Sequence, residues 1–272
     1  MRFAVNYSPP LARLISSGAI DVDLFKCPDW PDLVEEARTQ RPCYVHFSLR
    51  AGKRELGQVD WDQARRLVEL TQTPYINIHL APCAADFPGM PLDTRDPGHR
   101  AQLIEAMGED IRQLAERFDP ARVILENVMW DPEPPWLIPQ PVLEPEVISR
   151  IVRDTGCGFV LDLSHARICA RHFGVDEEEY VAALPVERMR ELHVTGLQED
   201  GAGLWQDHHP MTEEDWRSME WAMDRIRRGD WPMPWAVAFE YGGVGPVYAS
   251  RTNEAVLAEQ VPRLFDCVRS AV

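Results

Sequence analysis

The sequence predicts an α/β protein built as a single (β/α)₈ TIM barrel over residues 1–272. Three observations carry this. Eight short apolar segments recur along the chain, amphipathic helical segments lie between them, and no GxGxxG follows the first strand. A doubly wound open sheet is the runner-up, and the missing glycine motif weakens a dinucleotide-binding reading. Length agrees: α/β barrels commonly run to about 250 residues as one domain, and a chain of 272 residues buries a core without disulfide staples.

The expected strands are RFAVNYS (2–8), IDVDLF (20–25), CYVHFSL (43–49), YINIHLA (75–81), RVILENV (122–128), GFVLDLS (158–164), RELHVTG (190–196) and WAVAFEY (235–241). Their Val, Ile, Leu and Phe content suits strands covered on both faces. Helical periodicity runs through 59–72, with Asp60 placed to cap, and through 99–118. The segment 144–156 ends on Gly156, a helix stop. The segment 212–229 opens on Thr212, carries acids in its first turn and arginines in its last, and ends on Gly229. The tail 252–271 is helical with a proline interruption. The Pro- and Trp-rich stretch 130–145 is a loop, because the strand–helix rhythm resumes after it.

Acidic residues outnumber basic ones 44 to 28, for a formal charge of −16, which argues against a nucleic-acid partner. No apolar run approaches the ~18 residues of a membrane span, and the N-terminal segment lacks a signal-peptide pattern. The six cysteines are scattered without a CxxC pair, consistent with free thiols in a cytoplasmic protein.

Histidines and carboxylates fall where barrel enzymes build their sites, near the C-terminal ends of strands. His46 and His79 lie in strands three and four, and Glu126 ends strand five. Asp162 closes strand six, with His165 three residues on. His193 is in strand seven, Asp207 and His209 lie in the long loop after it, and Glu240 ends strand eight. Singly, each residue reads as a hydrogen-bonded core histidine or a salt-bridge partner. Together, buried carboxylates and imidazoles in apolar strands would be costly unless a cation cluster satisfied them. Nine ligands exceed one ion, so two or three are expected, and the mixed N and O set suits iron, zinc or manganese. His99 and His172 read as helix residues. Asn127 is either a turn residue or a contact to substrate or ligand. His208, between two candidates, points away from the metals by alternation and is a candidate substrate contact. Trp130 and Trp136 either line a cleft or pack the loop.

The order His, His, Glu, DxxH, His, DxH, Glu on successive strands resembles the endonuclease IV and xylose isomerase-like superfamily. That resemblance implies one ion on His46, His79 and Glu126, and a second sharing Glu126 with Asp162, His193 and Glu240. A third would sit on His165, Asp207 and His209. A closer resemblance, over about 40–241, is to the multinuclear non-heme iron-dependent oxidases that include the methanobactin and thiaglutamate biosynthesis enzymes. It rests on YVHFSLRAG, IHLAP, LENV, the block 155–196, DHHP with Trp216 downstream, and AFEY. Ser164-His165 stands where those oxidases commonly carry Asn-Asn, and Thr195-Gly196-Leu197 where they usually read AGH. The resemblance implies two or three iron ions and dioxygen acting on a cysteine of a ribosomally made precursor peptide, with a partner protein holding the leader. Glu126, Asp162 and His193 would then carry catalysis, and Asn127 and His208 would contact substrate. The rival readings are a metal-dependent phosphoesterase, a sugar isomerase or epimerase, and a non-enzymatic metal-binding scaffold.

Overall fold

The computed structural model describes residues 1–271. Its strands are β1 (Arg2–Asn6), β2 (Leu24–Pro28), β3 (Cys43–His46), β4 (Ile76–His79), β5 (Val123–Glu126), β6 (Gly158–Asp162), β7 (Met189–Val194), β8 (Gly196–Glu199), β9 (Trp205–His209) and β10 (Ala236–Phe239). The helices are α1 (Pro9–Ser16), α2 (Pro31–Arg38), α3 (Trp61–Thr71), α4 (Pro97–Phe118), α5 (Pro145–Thr155), α6 (Leu163–Phe173), α7 (Glu177–Ala183), α8 (Glu213–Arg227), α9 (Gly245–Arg251) and α10 (Glu254–Arg269). Eight strands and intervening helices make up the (β/α)₈ complement, and the β8–β9 pair is an antiparallel addition.

The chain divides into two compact units. The first comprises Met1–His46, Asp62–Thr73 and the chain from Arg190 onward; the second comprises Phe47–Trp61 and Pro74–Met189. In the first unit the strand order is β3-β2-β1-β10-β7, with every pairing parallel. In the second the order is β6-β5-β4, again parallel.

Period-2 alternation sorts the side chains of each unit onto two faces. In the first, Phe3, Val5, Phe25, Cys27, Val45, Leu192, Val237 and Phe239 form an apolar, buried face. The other face carries a layer of Ala4, Leu24, Tyr44 and Ala238, with Trp235 packed on it. Asn6, Lys26, His46, Glu191 and His193 share this second face by register. In the second unit Ile76, Ile78, Val123, Leu125, Phe159 and Leu161 form the apolar face, opposite Asn77, His79, Glu126 and Asp162. The strands are therefore apolar on one face and polar in part on the other.

Local signals set the boundaries. Asp162 ends β6 and caps α6, its Oδ1 accepting from the His165 backbone N–H at 2.7 Å. That cap is why the strand stops two residues short of the expected 158–164. The second strand begins at Leu24 instead of residue 20. Asp23 accepts from Phe3 N at 2.8 Å, and the ladder to β1 starts only at Ala4 opposite Leu24. Asp207 and His209, expected in a loop, lie on β9, where backbone pairing of Glu199 with Trp205 and Gly196 with His209 builds a strand. Thr212 and Asp215 form a capping box at α8. Gly156, at φ 70°, terminates α5. Helix α10 continues across Pro262.

Candidate metal centre

In the second unit, donor atoms of Glu126, Asp162 and His165 all lie within 4.8 Å of one another. Glu126 and Asp162 are 1% and 0% exposed. Two carboxylates this close and this buried are strongly disfavoured together unless cations neutralise them. Parallel register sets His79 directly opposite Glu126, and His79 Nε2 lies 3.4 Å from Glu126 Oε2. His79 Nδ1 meets the Leu49 carbonyl at 3.0 Å, and His165 Nδ1 meets the Asn127 carbonyl at 2.9 Å. A carbonyl only accepts, so each Nδ1 carries the proton; Nε2 of His79 faces Glu126, while His165 Nδ1 itself lies 3.6 Å from Asp162 Oδ2. Giving one ring N–H to a carbonyl is how metal-binding imidazoles are ordinarily held.

Asn127 adds a second restraint. Its Nδ2 donates to the Asp162 carbonyl at 2.8 Å, and its Oδ1 accepts from Asp162 N at 2.9 Å. Both ends of the amide therefore clamp the Asp162 backbone and fix the strand-to-helix turn that aims the carboxylate.

In the first unit, donor atoms of His46, Glu191 and His193 lie within 4.8 Å of one another, with the two rings 5.1 Å apart edge to face. His193 Nε2 lies 2.9 Å from Glu191 Oε1, and His193 Nδ1 lies 3.3 Å from Glu240 Oε1. The Tyr44 hydroxyl donates to the same Glu191 oxygen at 2.5 Å. Glu191 thus holds His193 from behind, as a carboxylate holds a ligating histidine, and turns Nδ1 toward Glu240. Sequence reasoning passed over Glu191. The signal was the Glu-x-His alternation in RELHVTG, which sets both side chains on one face. Lys26, also passed over, pairs with Glu240.

Asp207 and His209 lie two residues apart on β9. His208 between them has φ 58°, a left-handed backbone that interrupts simple strand alternation. Its Nδ1 lies 3.2 Å from the Gly242 carbonyl, and its ring packs 4.2 Å from Tyr248. Burial, then the Arg251 charge, pushes the His209 pKa down, which favours the neutral imidazole. Arg251 also donates to the Asp207 carbonyl at 2.8 Å.

Away from the clusters, His99 pairs with Thr94 at 2.8 Å, and His172 stacks on Trp130 at 4.1 Å. Trp130 therefore packs its loop. Trp136 is 39% exposed, with the Arg50 guanidinium 4.3 Å above its ring. Burial raises the Cys169 thiol to about 12, so it stays protonated.

Residues 29–240 match the family described as RiPP precursor modification enzyme MbnB/TglH/ChrH. The chain belongs to this family. As a member of the MbnB/TglH/ChrH family it resembles UPF0276 proteins. The protein of Acaryochloris marina is 24% identical over 199 residues, covering 71% of this chain and 69% of that protein. One from Pseudomonas aeruginosa strain PAO1 is 28% identical over 145 residues, covering 51% of this chain and 47% of that one. Among solved structures, the IOLI protein with a binding zinc atom aligns at TM-score 0.57 and 15% identity, over 100% of this chain and 99% of that one. D-psicose 3-epimerase aligns at 0.54 and 13%, over 100% and 96%. AP endonuclease, family 2, from Brucella melitensis aligns at 0.52 and 14%, over 96% and 99%. These likenesses show the xylose isomerase-like (β/α)₈ fold. Among the described residues no helix is long and apolar enough to cross a membrane.

Proposed function

We propose that the protein is a cytoplasmic, multinuclear iron- and dioxygen-dependent oxidase that modifies a cysteine of a ribosomally synthesised precursor peptide, together with a leader-binding partner protein. Its ligands are His46, His79, Glu126, Asp162, His165, His193, Asp207, His209 and Glu240. The observation that carries the reading is the pair His79 and His165. Each gives Nδ1 to a backbone carbonyl, and both stand beside the buried carboxylates Glu126 and Asp162, where a cation would be held. The donor set is nitrogen and oxygen without thiolate, which suits iron and also zinc or manganese. Bound iron supplies the redox chemistry with dioxygen. The chain's own residues hold and orient. Asn127 clamps the Asp162 turn, Glu191 steadies His193, and Glu126 lies beside His79 as the candidate bridging carboxylate.

A metal-dependent phosphoesterase is the second reading, favoured by one feature. His165 stands where the resembling oxidases carry asparagine, which gives a DxxH like that of endonuclease IV.

Anaerobic purification, iron reconstitution and elemental analysis test the centre. Two or three ions per chain are expected, and Glu126→Ala should lose at least one ion and all turnover. His99→Ala should change neither. Fewer than one ion per chain after reconstitution would sink the reading. Turnover of a cysteine-containing precursor peptide, with dioxygen consumed, separates the oxidase from the phosphoesterase.

A further inference from the structure

Only two of the 28 basic residues are lysines, Lys26 and Lys53. Lys26 lies on β2, in register between Asn6 of β1 and Tyr44 of β3, and is 4% exposed. Its ammonium pairs with Oε1 of Glu240, itself 5% exposed. The same Oε1 lies 3.3 Å from Nδ1 of His193, whose Nε2 is held by Glu191. A buried cation and a candidate ligand nitrogen thus converge on one carboxylate oxygen.

We propose that Lys26 is a tethered counter-cation that competes with a metal ion for Glu240. The inference rests on the metal-centre reading above. Without metal, the ammonium neutralises a carboxylate that burial would otherwise penalise. His193 and Glu240 would hold a divalent ion only if the ammonium of Lys26, a like charge, gave up Glu240. Lysine suits this exchange and arginine does not. A compact ammonium on a four-carbon stem withdraws by rotation, whereas a planar guanidinium holds its partner through two fixed bonds. The ammonium therefore weakens the hold of Glu240 on an ion. Lys26 acts through Glu240 and is a positioning residue.

Cobalt(II) titration of metal-stripped protein, followed by calorimetry and by the d–d absorption spectrum, tests this without substrate. Lys26→Met and Lys26→Gln should each tighten cobalt binding at the Glu240 site by about tenfold or more, because a like charge is removed from a poorly screened position. On a Glu240→Gln background the same substitutions should change nothing. Metal-free Lys26→Met should melt below wild type and gain more on cobalt loading. If metal-free Lys26→Met does not fold, chelator competition on the loaded protein reads the same effect as slower metal loss. Unchanged or weaker binding in both Lys26 variants overturns the proposal and leaves the metal centre standing. Equal tightening on the Glu240→Gln background also overturns it. Absence of cobalt binding by every protein overturns both readings.

Discussion

Two histidines in this protein are defined less by their own position than by what holds their second nitrogen. His165 is tied through Nδ1 to the Asn127 carbonyl and sits with Glu126 and Asp162. An asparagine there is a weaker ligand for a borderline metal than an imidazole. His165→Asn should lower the ion count by about one. Turnover should persist if the chemistry needs only the remaining ions, and collapse if it is hydrolytic and uses them all. Wild-type metal affinity in this variant would show that His165 is not a ligand. His193 is held through Nε2 by Glu191. Glu191→Gln keeps the shape and removes the charge behind the ring, so metal affinity should fall about 10–100-fold, the usual cost of losing such a partner. Metal titration reads the fall, and an unchanged circular dichroism spectrum separates it from unfolding.

At the scale of elements, the β8–β9 hairpin depends on one glycine. A Cβ at Gly196 would lie 1.9 Å from the Pro210 carbonyl oxygen and 2.7 Å from that of His209. Both atoms are backbone, so β9 must move to accommodate it. Gly196→Ala should destabilise the protein by about 1–3 kcal/mol, the range for overpacking. If Asp207 and His209 hold a metal, as proposed, it should also loosen that metal. Thermal unfolding and metal counting on the same variant check this. Helix α6 begins on a candidate ligand: Asp162 caps it with one oxygen. The cap ties the carboxylate to the first turn that carries His165, so strand end, helix start and donor pair are one local structure.

For the molecule as a whole, charge argues against a nucleic-acid partner. With 44 acidic residues against 28 basic ones, phosphate neutralisation offers little affinity. Duplex DNA should bind weakly or not at all at moderate salt by fluorescence anisotropy. Tight binding to abasic-site DNA would move the phosphoesterase reading to first place. The family match over residues 29–240 points to a peptide instead.

Much of this was legible in the chain because two periodicities are local. A strand shows alternate residues to one face, so YVHFSL, INIHLA and VILENV disclose both the strand and the candidate donor it presents. The DxxH spacing disclosed a candidate ligand pair, and Gly156 and Thr212 disclosed helix ends. Other features depend on groups distant in sequence. Lys26 meets Glu240 across 214 positions, and Tyr44 reaches Glu191 across 147, pairings that no local pattern encodes. The β9 strand was hidden because WQDHH is polar, and backbone hydrogen bonds to β8, not apolar alternation, make it a strand. The direction of His208 was less legible for a related reason: its left-handed backbone breaks the alternation from which the sequence reading turned it away from the metals. Which residues are donors is a matter of side-chain chemistry and spacing. Which nitrogen each imidazole offers, and which cation already stands beside a carboxylate, was decided only when strand register brought their partners within hydrogen-bonding distance.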